Sequence, residues 1–166
     1  MNKSKRIAYF ALNVALAFVL SYLESLVPIN IGVPGIKLGL ANLVVVTALY
    51  TLPKGDAFFI SMVRIVLSGL TFGGVFSLVY SFAGGILAFA VMLFAKKIRG
   101  VSVVGVSVLG AAVHNVGQIL AAAVVMKNFG IFYYLPVLLI AGGITGLAIG
   151  LLSRIIISRI SKIAGD

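Results

Sequence analysis

From Val101 to Met126 the chain carries no Asp, Glu, Lys or Arg, and between Ile7 and Val27 it carries only Glu24. A helix of about 20 residues rises about 30 Å, the thickness of a bilayer's hydrocarbon, so runs of this length specify membrane-crossing helices. A single soluble core would have to hide a chain that is 62% hydrophobic and 10% charged, which 166 residues cannot do. The chain therefore reads as an all-α integral membrane protein, a single transmembrane domain over residues 1–166. The first run begins behind Lys3, Lys5 and Arg6 and has no small-residue cleavage site, so it reads as a retained span and not a signal peptide.

Hydropathy and turn residues divide the chain into six transmembrane helices, over about residues 7–27, 38–52, 57–70, 75–95, 101–126 and 134–152. The second and third are near the length at which a span and a re-entrant segment look alike. Pro28-Ile29-Asn30-Ile31-Gly32-Val33-Pro34-Gly35-Ile36-Lys37 is too rich in proline and glycine for a helix. It reads either as a lid folded over the bundle or as a short interfacial connector. Pro53-Lys54-Gly55-Asp56 makes a compact turn in which Asp56 is placed to cap the third helix, and Thr71-Phe72-Gly73-Gly74 makes another. Beyond the sixth span, Arg154, Arg159 and Lys162 mark an amphipathic tail.

The net charge of +10 raises nucleic acid as a partner, but the basic residues punctuate the apolar runs and form no aromatic-interleaved surface, so no nucleic acid is expected. They report topology instead. Lys3, Lys5, Arg6, Lys54, Lys96, Lys97, Arg99, Arg154, Arg159 and Lys162 fall on one side, against Lys37 and Lys127 on the other. The positive-inside rule then puts both termini in the cytoplasm of a multi-pass cell-membrane protein.

Against this background the polar residues stand out. His114, the only histidine, lies one helical turn from Gln118, with Asn115 on the adjoining edge of the same face. Lipid cannot satisfy such groups, so they face protein, water or a ligand. Arg64 sits midway along the third span, at a cost of roughly 2.5–3.5 kcal/mol on insertion scales. Two readings stand for it: an internal partner that holds helices together, or an anion site. Tyr80 lies too deep for an aromatic belt and calls for an internal partner. With this topology Glu24, Lys37, Asn42, Tyr80, His114, Asn115 and Gln118 project into the outer half, with Arg64 near the middle. They form a substrate-binding pocket open to the outside or a network that only locks helices. Lys37, Arg64 and His114 outnumber Glu24, which favours an anionic or electron-rich ligand. On the first span Ala11 and Ala15 make a small-xxx-small pair, either for packing inside the bundle or for docking a partner.

Enzyme readings fare worse. There is no Gly-rich phosphate loop ending in Lys-Ser/Thr, no cysteine, no second histidine for a metal pair, and Glu24 is the one carboxylate inside a span. No catalytic residue, metal or cofactor is expected. A proton-coupled carrier using Glu24 or His114 stays open.

Four elements together, Pro34-Gly35-Ile36-Lys37-Leu38-Gly39-Leu40-Ala41-Asn42, Arg64 with Leu70-Thr71-Phe72-Gly73, Tyr80-Ser81-Phe82-Ala83-Gly84-Gly85, and His114-Asn115-Val116-Gly117-Gln118, resemble the Gx transporter family. Its members are often labelled heptaprenyl diphosphate synthase component I. That family is similar in plan to the S-components of energy-coupling factor (ECF) transporters, six-helix proteins that capture vitamins or related micronutrients. The resemblance implies three kinds of partner: a small-molecule solute, a transmembrane coupling protein and two cytoplasmic ATPase subunits. It also implies that the Ala11–Ala15 face docks the coupling protein. The prenyl-synthase label implies instead an accessory subunit of prenyl diphosphate or quinone biosynthesis. The aspartates of this chain are Asp56 and Asp166, so the aspartate-rich metal sites of trans-prenyl synthases are missing.

Overall fold

A computed structural model describes residues 3–26 and 38–164, and these contain no strand. The helices are α1 (Lys3–Ser25), α2 (Leu40–Thr51), α3 (Lys54–Ser68), α4 (Gly74–Ala95), α5 (Val103–Met126) and α6 (Leu135–Ala164). A π-helical turn covers Gly69–Gly73, and a 3-10 turn covers Phe129–Tyr134. Lys37 and the expected lid over 28–37 lie outside the described residues.

Four helical runs are long and apolar enough to cross a membrane: Lys3–Ser25, Lys54–Ala95, Val103–Met126 and Phe129–Ile163. The second of these is not a single rod. A Cβ built on Gly85 would collide with the side chain of Ile65, a residue that a straight helix would carry about 30 Å away at 1.5 Å per residue. Gly74 takes φ 74 and ψ 170, outside helical geometry, and the chain folds back there. Thus α3 and α4 form an antiparallel hairpin whose tip is the wide π turn. The expected tail beyond the sixth span is not a separate element, because α6 continues unbroken for 30 residues and carries Arg154, Arg159 and Lys162 on its final turns.

Apolar pattern decides which helix sits inside. The sequence of α2, Leu-Ala-Asn-Leu-Val-Val-Val-Thr-Ala-Leu-Tyr-Thr, is apolar on nearly every face, and its residues from Val44 to Leu49 are all buried. They pack with Ala17 of α1, Ala57 and Ile60 of α3, Phe89, Met92 and Ala95 of α4, and Val106 of α5. At 12 residues, α2 rises only about 18 Å. Its last turn is closed by Lys96, whose Nζ donates to the Leu49 carbonyl at 2.8 Å and lies over the Tyr50 ring. A cation at a helix C-terminus is favourable both as a hydrogen-bond donor and through the helix dipole.

Lipid tails are as apolar as leucine, so helices in a bilayer associate through close packing and not through expulsion of water. The glycines supply that approach. A Cβ on Gly117 of α5 would lie 2.7 Å from the Gly84 Cα of α4. Gly142, Gly146 and Gly150, one turn apart on α6, face α5 in the same way: a Cβ would come 2.8 Å from the Val108 Cα at Gly146 and 2.7 Å from the Val104 Cα at Gly150. These contacts bind α4, α5 and α6 into one tight layer.

The first helix is held differently. Ala17 is its one buried residue, while Ala8, Ala11 and Ala15 are exposed. Two polar clasps and an aromatic contact attach it. Arg6 donates to both carboxylate oxygens of Asp56, at 2.7 and 2.6 Å, and Phe72 of the π turn stacks on Phe18 and Tyr22 with ring centroids 5.5 Å apart in each pair. Asp56 therefore does not cap α3 as expected. Pro53 occupies the cap position without a side-chain hydrogen bond, and the carboxylate is taken by the guanidinium fork. The second clasp, made by Glu24, belongs to the site described below.

Gly117→Val is expected to lower stability by about 1–3 kcal/mol through overpacking of the α4–α5 crossing. Gly143→Ala, where nothing lies within 4 Å of the added Cβ, is expected to be neutral or to add up to about 1 kcal/mol of helix propensity. Thermal unfolding in detergent checks both, and equal losses would contradict the packing described.

Candidate functional site

Towards the Glu24 end of α1 the bundle opens into a cavity of about 70 Å³, room for several waters or part of a small solute. Its walls come from all six helices. Glu24, Asn42, Arg64, His114, Asn115 and Gln118 all line it, so six of the expected site residues are brought together. Tyr80 is not among the lining residues; its ring lies against Phe76 at 6.5 Å, and Ser81, the next residue along α4, lines the cavity instead. Lys37 lies outside the described residues.

Each polar group reaches the cavity for a local reason. Gly39 stands at φ 73, a left-handed conformation that favours glycine, and this turns the chain into α2. Its amide is thereby directed to Glu24, whose Oε1 accepts from Gly39 N at 2.6 Å. The Glu24 carboxylate also sits at the N-terminus of α2, where the helix dipole favours negative charge. One turn into α2, Asn42 Oδ1 accepts from Arg64 Nη2 at 2.7 Å and ties α2 to α3.

Arg64 carries the site's electrostatics. A guanidinium has five N–H donors and keeps its charge in proteins. Here Nη2 is bonded to Asn42, while Nε is buried without a hydrogen-bond partner. Among the described residues the one ion pair within 4 Å is Arg6–Asp56, so Arg64 has no carboxylate in contact. Glu24, the carboxylate that shares the cavity, is already held by the Gly39 amide. The cavity therefore combines an acidic group bound to backbone with a basic group that has donors to spare.

The opposite wall depends on missing side chains. A Cβ on Gly84 would lie 2.5 Å from the His114 carbonyl oxygen and 2.9 Å from Gln118 Cγ, so α5 approaches α4 here because this position is glycine. The same holds on the other flank, where a Cβ on Gly142 would lie 2.5 Å from Asn115 Nδ2. With that space free, Asn115 donates to the Leu138 carbonyl of α6 at 2.6 Å. Asn115 thus works as a link between α5 and α6, and like His114 and Gln118 it lines the cavity. Thr145, one turn beyond Gly142, and Ser81, one turn before Gly85, complete the polar lining. Ser81 belongs to the Tyr80–Gly85 element of the family resemblance but was not expected at the site, and the signal available for Thr145 was its spacing from the glycines that mark the α5–α6 crossing.

With this geometry the comparison with known proteins is informative. The family model described as heptaprenyl diphosphate synthase component I matches residues 14–156. The chain belongs to that family. The match takes in every cavity residue and Ala15, and leaves Arg6 and Ala11 outside. No curated protein and no solved structure matches the chain.

Removing the Asn115 amide leaves a neighbouring carbonyl that α6 itself still engages, so Asn115→Ala is expected to cost about 0.6–1.7 kcal/mol, from the average to the maximum found for interhelical hydrogen bonds in a membrane protein. Gly142→Val is expected to cost more, because it expels the Asn115 amide and separates the helices. Unfolding of the two variants by denaturant in micelles checks the order, and a larger loss for Asn115→Ala would contradict it.

Proposed function

We propose that the chain is the solute-binding membrane subunit of an ECF-type transporter and takes up a small anionic micronutrient or cofactor precursor from outside the cell. The observation that carries this reading is Arg64: a guanidinium beside a polar cavity, bonded once to Asn42, with no carboxylate in contact among the described residues. A charge in such a position is costly unless something compensates it; Glu24 in the same cavity attracts it without contact, and an anionic solute at the spare donors adds the direct partner.

In this reading all six helices cross or enter the cell membrane, with both termini cytoplasmic. Arg6, Lys54, Lys96, Lys97, Arg99 and the basic end of α6 then lie on the cytoplasmic side, as the positive-inside rule requires. The short helices α2 and α3 are compatible with this because their inner faces are covered by the bundle, so their ends need not meet lipid. The cavity opens on the opposite side. The protein performs no chemistry of its own; a coupling protein and two ATPase subunits drive transport. The coupling protein docks on Ala8, Ala11 and Ala15. The glycine ridges of α4, α5 and α6 are already filled by one another, whereas this small-residue face of α1 is exposed.

The family's description supports a second reading, an accessory membrane subunit of prenyl diphosphate synthesis. Asp56 is engaged by Arg6, so this role would be one of assembly and not of metal-dependent catalysis. The two readings differ in what they purify with: an ATPase module for the first, a prenyl synthase for the second. The doubly substituted Ala11→Leu/Ala15→Leu protein is expected to keep its stability and solute binding while losing the ATPase module in affinity purification. Retention of the module would overturn the docking face. Arg64→Ala is expected to weaken solute binding by at least about 10-fold, the effect of losing one charged hydrogen bond, whereas unchanged affinity in both Arg64→Ala and His114→Ala would remove the proposed site.

A further inference from the structure

Below the polar cavity lies a second, narrower one of about 30 Å³. The two share Gly39, Asn42, Ala111, His114 and Thr145, so they are two parts of one cleft with a waist at these residues. On each of the four helices that line it, α2, α4, α5 and α6, the second part lies further from Glu24. Val46 is one turn beyond Asn42 on α2, Ala88 and Met92 are two to three turns beyond Ser81 on α4, and Ile149 is two turns beyond Gly142 on α6. On α5, which runs the other way, Gly110 precedes His114 by a turn.

The character of the lining changes at the waist. Arg64, Glu24, Asn115 and Gln118 face the outer part alone; Val46, Ala88, Met92 and Ile149 face the inner part alone, together with one uncharged hydroxyl residue, Ser107. Charge and hydrogen bonding are concentrated at one end and aliphatic surface at the other. We propose that the solute is a small anion bearing a short, slim apolar tail, with the anionic group at Arg64 and the tail passing Asn42 into the inner cleft. This rests on the reading of the Arg64 cavity as an anion site.

The inner part also limits the size of the tail. Its volume admits about two or three methylene-sized groups, taking each as comparable to a water. Met92 forms part of its inner wall, and its Sδ would lie 2.6 Å from a Cβ on Gly110. Methionine is unbranched and adaptable, and the bare Gly110 backbone gives it the place it occupies. Met92 and Gly110 are therefore the positions that set tail length.

The test is a chain-length series on the purified full-length protein in detergent, by isothermal titration calorimetry. The probes are inorganic phosphate and n-alkyl phosphates from methyl to hexyl, with the matched n-alkyl carboxylates as a second series. In at least one series affinity is expected to rise about fourfold per methylene up to about propyl and then to stop rising. Met92→Ala is expected to extend the rise by about two carbons, and Gly110→Ala, which pushes Met92 into the cleft, to shorten it. The second variant keeps the test open if the first does not fold. Binding of the parent anion through Arg64 with no dependence on chain length would overturn the tail and leave the anion site standing. A rise that persists in Arg64→Ala would be partition into detergent and would overturn the tail as well. No binding in either series would overturn both readings together.

Discussion

The arrangement depends on close backbone approach between α4, α5 and α6. In a bilayer no hydrophobic gain draws helices together, so the layer exists where glycine removes the side chain that would hold the backbones apart. Gly84 against Gly117, and Gly142, Gly146 and Gly150 against α5, make that approach. It has a consequence for chemistry. With its glycine flanks pressed against neighbours, α5 presents His114 and Gln118 to the space between α2, α3 and α6, and the cavity is the volume that remains there.

Charge is then distributed within this cavity by backbone as much as by side chains. Gly39 turns an amide to Glu24 and so holds the acidic group without a direct contact to Arg64. Asn42 holds the guanidinium in place from the next turn. The result is a cationic group fixed in position with hydrogen-bonding capacity left over, which is what an anion site needs and what a purely structural ion pair would lack.

Much of this was legible in the residues, and the limits have physical causes. Long uncharged runs gave the helices, because length and apolarity are one-dimensional properties. The convergence of Glu24, Asn42, Arg64, His114, Asn115 and Gln118 followed from placing each polar residue by depth. Depth says nothing of rotation about the helix axis, and so Tyr80 was expected at the site where its neighbour Ser81 stands. Asp56 was expected as a cap because capping is a local rule; a guanidinium fork from a helix distant in sequence competed for it. Glycine in the fifth and sixth spans signalled close packing, but which glycine faces which helix is a property of the assembled bundle. The inner cleft has no local signature either, since Val46, Ala88, Met92 and Ile149 are ordinary apolar residues until the fold brings them together.

Membership of the heptaprenyl diphosphate synthase component I family and the proposed anion site are compatible, and identifying what the cavity binds would connect them. Native mass spectrometry of the protein released from membranes, followed by fragmentation of any retained small molecule, addresses this directly. A single anionic species bound one to one in the native protein and missing from Arg64→Ala is the predicted result. An adduct that remains at full occupancy in Arg64→Ala, or one that is cationic, would contradict the account.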